Sequence, residues 1–318
     1  MQEVKQIGLD RITLTVKDEQ IEYHGTSENG LYQVNFKEDG IVIRPNQVNK
    51  GKTDINITVP KIFNATNEQN VTQEDFEYIV PMVEDILLHE KVFLDVGESN
   101  LGSFEINYNV NNPKLYDCLI VVCKAVINNG HKVYKVENQD GIQSVKIKKA
   151  RHVIKIYKKS EHLQEQFQQV EDEHLVRFEV STNVLDEKKR LLGNDITLNG
   201  LIHQWQDVED WYKSCINNSI KKPVNKYLKQ LEDECFERLN QGTKPSVLVN
   251  DLMFRNDLID LCVFDNALKR HYKSTGKTKP YSVIKSTHAR LEKLNPKRYQ
   301  EVTGNVQELE KFYNLLGI

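Results

Sequence analysis

Cysteine is scarce and scattered in this chain. Its 318 residues hold five, Cys118, Cys123, Cys215, Cys235 and Cys262, and none forms a C-x-x-C pair. Neither a zinc site nor a disulfide scaffold is therefore indicated. No His-x-His pair occurs among the nine histidines, which removes the simplest histidine-based metal site. Long apolar runs are missing too: none reaches the ~18 residues that a bilayer span needs. The first residues, Met1 to Gln6, carry no signal-peptide core. The cytoplasm is thus the expected location, and no membrane partner is expected. Net charge is only −3, with 39% hydrophobic and 28% charged residues, the balance of a globular protein able to bury a core.

A small net charge hides a segregated one. From Ser144 to Lys159 there are seven Lys and Arg and no acid; from Leu268 to Arg298 there are ten against Glu292 alone. Two such patches on a near-neutral chain are what tracking a polyanion requires. Lys146, Lys148, Lys149, Arg151 and Lys158 in the first patch and Arg177 beyond it are read as DNA contacts, as are Lys269, Arg270, Lys273, Lys285 and Arg290 in the second. The bland alternative is a pair of solvated faces.

The apolar pattern predicts an α+β fold, a largely antiparallel sheet with helices packed on one side, followed by an α-helical C-terminal region. Arg11–Val16 alternates, as do Leu31–Phe36 and Ile55–Val59, with Glu28-Asn-Gly30 and Glu38-Asp-Gly40 as turn signals. Helical spacing runs from Phe76 to Leu87 and again from Pro113 to Ile127. Strands then return through the turn Gln139-Asp-Gly141 to Val180. Beyond Gly200 the pattern is helical to the end. The expected boundary lies near Ser219–Pro223, giving residues 1–220 and 221–318 as domains.

Chemistry concentrates on three predicted strands. In Lys155-Ile-Tyr-Lys-Lys159 a period of two puts Lys155, Tyr157 and Lys159 on one face, with Ile154 and Ile156 on the other. Cations beside a phenol favour phenolate, so the lysines are expected to lower the Tyr157 pKa from ~10 and to hold an anionic substrate. In Leu101–Val110, Glu105, Asn107 and Asn109 share a face opposite Phe104, Ile106 and Tyr108; in Val176–Val180, Arg177 and Glu179 share one. Polar groups in line on a central strand need partners. A divalent cation is one candidate; water and other side chains are the others. Oxygen ligands would suit Mg²⁺ or Mn²⁺. His174 is a candidate third ligand, His152 is read as structural, and Trp205 and Trp211 as packing between the two halves. Ser274-Thr-Gly-Lys-Thr278 reads as a helix-ending linker.

These strings, in this order, resemble the rolling-circle replication initiators, in particular the phage and plasmid replication proteins of the gene II/X type and, more remotely, the Rep_trans-type plasmid initiators. The resemblance rests on Val59-Pro-Lys-Ile-Phe63 with Asn67 downstream, Ser103-Phe-Glu-Ile-Asn-Tyr-Asn109, Ile156-Tyr-Lys-Lys159 and Leu175-Val-Arg-Phe-Glu179. It spans about residues 8–215 and leaves the last third unmatched. It implies a rolling-circle nuclease-like domain in which Tyr157 is the nicking nucleophile and Lys159 its supporting lysine. It also implies that Glu105, where the family usually has aspartate, and Glu179 hold the metal. The implied product is a 5′-phosphotyrosine link with a free 3′ hydroxyl, made on single-stranded or melted origin DNA. Host helicase and polymerase, and a second copy of the chain, are the further partners considered. Two other functions remain open: a non-catalytic origin-binding initiator, and a relaxase acting at a transfer origin.

Overall fold

The computed structural model describes residues 7–23, 34–36, 40–63, 70–138, 141–161, 174–254 and 260–318. Asn67 and the turns at Glu28–Gly30 and Gln139–Asp140 lie outside the described residues, as do Leu31–Gln33 and Glu38–Asp39. The chain separates into two compact units, one of residues 1–111 and 146–215, the other of 112–145 and 216–318. This differs from a single boundary near residue 220. The chain first leaves the first unit after Asn111, and residues 112–145 group with residues 216–318.

The strands are β1 (Gly8–Lys17), β2 (Glu22–Tyr23), β3 (Val34–Phe36), β4 (Ile41–Pro45), β5 (Lys52–Thr58), β6 (Val92–Phe93), β7 (Leu101–Asn111), β8 (Val133–Asn138), β9 (Gly141–Lys148), β10 (Val153–Lys158) and β11 (Leu175–Thr182). Nine of them form one sheet in the order β3-β4-β5-β1-β7-β11-β10-β9-β8, and β2 pairs with β6. The ladders among β4, β5, β1, β7, β11 and β10 are all antiparallel. The α+β expectation holds.

Alternation decides which face is core. Ile12, Leu14 and Val16 on β1, Phe104 and Ile106 on β7, Phe178 and Val180 on β11, and Ile154 and Ile156 on β10 are all buried on the apolar face. Helices cover that face. Trp211, on a helix running Trp205–Ile216, meets Phe104 edge-on at 5.5 Å, and Tyr212 donates to the Phe178 carbonyl at 3.0 Å. Trp205 packs edge-on against Phe76, at the start of the helix Phe76–His89, with centroids 4.6 Å apart. Both tryptophans thus pack against residues of the first unit. Trp211 finds a polar partner as well, donating through Nε1 to Glu187 at 2.8 Å.

The second unit holds the helix Pro113–Asn128, capped by the Asn112 side chain, which accepts from the Lys114 amide. Its helices include Lys222–Asn240, Leu261–Ser274 and Pro280–Leu294, packed on a core with Leu239, Leu248, Phe264, Leu268 and Leu291. The segment Ser274–Thr278 ends a helix, with Gly276 at φ +67°. No helix among the described residues is long and apolar enough to cross a membrane.

Candidate active site

Three cross-strand rows build the polar face. Lys155 on β10 stands opposite Glu179 on β11, Glu179 opposite Asn107 on β7, and Asn107 opposite Gly8 on β1. One row along, Tyr157, Arg177 and Asn109 are in register; on the other side lie Val153, Ser181, Glu105 and Arg11. Directly opposed residues share a face, so Tyr157, Lys155, Glu179 and Glu105 meet as the alternation predicts.

Asp10 joins them, and sequence reasoning missed it. By parity Asp10 belongs with Ile12 and Leu14 on the apolar face. The ladder from β1 to β7 shifts register between Leu9 and Arg11, leaving Asp10 as the extra residue. Such a bulge bends the strand, switches the parity across it and re-aims a side chain: Leu9 stands opposite Ile106 and Arg11 opposite Glu105. The Asp10 carboxylate thereby reaches Arg177, at 2.8 Å. An acid at an apolar parity position was the available signal.

Carboxylate oxygens of Asp10, Glu105 and Glu179 lie within 4.8 Å of one another, and all three residues are buried. Their charge is met from the same face. Lys155 Nζ bridges Glu105 at 2.7 Å and Glu179 at 3.0 Å. Arg177, fully buried, donates to Asp10 and through Nε to Asn109 at 2.7 Å. The Tyr157 hydroxyl donates to the remaining Glu179 oxygen in a short hydrogen bond.

These contacts overturn one expectation. Burial, and next the Glu179 carboxylate, push the Tyr157 phenol well above its usual pKa. Only the Arg177 guanidinium pulls the other way, and it does not offset the burial. Lys155 is held between two acids, which outweigh its own burial and raise its pKa. Lys159 lies at the strand end, buried, with Nζ 5.7 Å from the Tyr157 ring centroid. Burial and the Arg177 guanidinium bring it down to about 8. Phenolate formation here needs a proton acceptor, and Glu179 is in place. The acids differ in turn. Burial and the Glu179 charge carry Glu105 up to about 7, and the Lys155 ammonium offsets only part of this. Burial would raise Asp10 too, but Arg177 and Lys159 outweigh it and hold that carboxyl low.

The Glu105 shift has a sign that can be measured. Its carboxyl binds its proton more tightly folded, to about 7, than at the reference 4.5. Between those values the folded state holds more protons, so stability falls as pH rises through the window. We expect wild type to lose up to about 3 kcal/mol against Glu105→Gln from pH 4.5 to 7.5. Urea unfolding across pH reads this, and parallel profiles would contradict it.

The donor set fits a hard divalent cation. All three ligand candidates are carboxylates, and Asn107, fully buried in the same row as Glu179, has neither its side-chain oxygen nor its nitrogen hydrogen-bonded. An unsatisfied buried carboxamide costs ~1–3 kcal/mol unless something binds it. His174 is exposed and stands outside the acidic group.

The residues expected to contact DNA divide. Lys146, Lys148 and Arg151 are exposed, and Lys149 is half-buried. Lys158 is a correction: it is buried and 3.3 Å from Glu161, since its parity is that of Ile154 and Ile156. Arg177 is another, its guanidinium being committed to Asp10 and Asn109. In the second unit Lys269, Arg270, Lys273, Lys285 and Arg290 are exposed. Arg270 is partly spent, lying 4.1 Å over the Phe236 ring and pairing with Asp233.

No protein-family model matches this chain, and no curated protein does. Among solved structures, a rolling-circle replication initiator protein from Geobacillus stearothermophilus is similar at 10% identity and a TM-score of 0.34, covering 68% of this chain and 85% of that one.

Proposed function

We propose that the protein is a replication initiator that nicks one DNA strand with Tyr157 and keeps the 5′ end as a phosphotyrosine. The observation that carries this reading is the hydrogen bond from the Tyr157 hydroxyl to Glu179, inside a buried three-acid group. The sequence strings that resemble the gene II/X proteins agree with it. A tyrosine whose proton has a carboxylate acceptor can attack phosphorus although its pKa is high. The Tyr157 oxygen bonds to phosphorus, its proton passes to Glu179, and the bond to the 3′ oxygen breaks. Lys159, brought down to about 8, is the group beside Tyr157 best able to protonate that leaving oxygen. The phosphodiester energy stays in the new ester, so the same face can rejoin strands.

Asp10, Glu105 and Glu179, with the Asn107 carbonyl, would hold Mg²⁺ or Mn²⁺. Such an ion supplies charge neutralisation at the non-bridging phosphate oxygens. Lys155 occupies the two glutamates that the cation needs, so ammonium and cation compete. Lys155→Met is expected to tighten Mn²⁺ binding about tenfold, equal to ~1.4 kcal/mol. Titration of DNA-free protein by electron paramagnetic resonance measures this; unchanged or weaker binding would mean that ammonium and cation do not compete. The exposed lysines and arginines of both units would contact phosphates, giving binding that weakens steeply with salt.

The test is a supercoiled circle carrying the gene with its flanking DNA. Incubation with Mg²⁺ or Mn²⁺ is expected to yield nicked circles joined to protein through a bond that survives SDS. Binding without nicking would favour a non-catalytic origin-binding initiator. Whether the origin serves replication or transfer is read by which product, a rolling-circle copy or a mobilised strand, the gene supports in cells.

A further inference from the structure

A cavity of about 380 Å³ opens beside the acidic group, with Glu105 in its wall. Its volume falls within the ~300–1,000 Å³ of small-molecule sites. Arg11 on β1, Lys148 at the end of β9, and Lys149 and Arg151 in the following hairpin line it, and Glu105 is the one acid among its lining residues. Two buried polar groups in the wall lack partners. The Asn56 side chain accepts from the Thr13 hydroxyl at 3.0 Å, which leaves its Nδ2 unbonded; His152 Nε2 is likewise unbonded. Four cations call for phosphate, Arg151 among them also standing 3.6 Å from Glu187. The unbonded Asn56 amide suits the polar edge of a base, whereas the His152 ring packs edge-on against Trp211.

We infer that this cavity seats one nucleotide of the bound single strand, away from the position being cut. The inference rests on the proposed function and names where its substrate lies. Along β10, Val153 at the cavity is four residues from Tyr157, about 13 Å at ~3.3 Å per residue. A stacked strand rising ~3.4 Å per nucleotide covers that in about four steps, so the seat lies no more than about four nucleotides from the scissile phosphate. Glu105 belongs to both places. A strand crossing from Tyr157 to the cavity therefore passes over the acidic group, with Arg11 and Lys148 drawing its phosphates onward.

The experiment uses full-length Tyr157→Phe protein and the probe (dT)12 carrying a single 4-thiothymidine, so nicking is not part of the readout. Photocrosslinking is expected to attach the probe within residues 148–153 or 181–184. Lys148→Ala with Lys149→Ala should weaken binding by anisotropy at least tenfold. Asn56→Leu should lower the crosslink yield in the wall severalfold while leaving the salt slope unchanged, which separates base contact from charge. Lys148 is exposed, so Lys148→Ala alone, expected to weaken binding severalfold, keeps its fold even where Lys149→Ala or Asn56→Leu does not. Crosslinks only elsewhere, or an affinity unmoved by the charge variant, would overturn the inference. So would thymidine monophosphate binding in the cavity as tightly as the strand, which makes it a free-nucleotide site. Because (dT)12 binding is scored without cleavage, a protein that never nicks would sink the proposed function while leaving this cavity assigned.

Discussion

Tyr157→Phe is expected to bring cleavage of a supercoiled circle to background, a loss on the order of a millionfold, as for other nucleophile deletions. Binding of the same DNA should stay within about twofold, because the ring, its packing and the cations around it remain. The removed hydroxyl frees one Glu179 oxygen, but Glu179 keeps the Lys155 ammonium at 3.0 Å, so the acid is not left unpaired. Glu179→Gln tests the other half of the pair. It retains a hydrogen-bonding side chain but not the proton acceptor, and a loss of about 10²–10⁴-fold is expected for a general base. Single-turnover cleavage measures both. Residual cleavage by Tyr157→Phe above one part in a hundred would assign the nucleophile elsewhere.

Arg177→Met is the largest expected stability effect. The arginine is fully buried and is the ion-pair partner of Asp10, itself 5% exposed. Deleting one member of a buried pair leaves an uncompensated charge and costs about 3–5 kcal/mol. Asn109 also loses the Nε donor at 2.7 Å, although it keeps its own bond to Asn70 at 2.8 Å. Adding Asp10→Asn removes the stranded charge and should recover more than half of the loss, a non-additivity that a simple packing defect would not give. Urea unfolding of the single and double variants decides this. A single-variant loss under about 1 kcal/mol would mean that the pair is solvated in the protein.

The face that the alternating strands share was legible in the sequence, because period two holds wherever a ladder runs unbroken. Glu105, Asn107 and Asn109 on β7, Arg177 and Glu179 on β11, and Lys155 and Tyr157 on β10 all follow it. Asp10 was not legible, because a bulge breaks the ladder and the rule with it. Lys158 was legible and misjudged: its own parity points inward, and the local density of positive charge outweighed that. The tyrosine's acidity was misjudged for a different reason. Counting lysines beside Tyr157 assumes that they are free to act on it, whereas Lys155 is neutralised by acids from two other strands, distant in sequence. Burial of the polar face was equally hidden, since nothing in Arg177 or Glu179 shows that Asp10, Asn109, Lys155 and Tyr157 would bond to them from the neighbouring strands. Residues 112–145 show the limit for domain boundaries: their helix and strand patterns read correctly, but pattern carries no record of which core they join.

The central claim is that Tyr157 becomes the covalent carrier of the cut strand. The most direct measurement is mass spectrometry of the SDS-stable adduct after nuclease and protease digestion. The account predicts a nucleotide ester on the peptide holding Tyr157, attached through phosphate to the 5′ side of the nick. An adduct on any other tyrosine, or cleavage that leaves a free 5′ phosphate and no adduct, would contradict it.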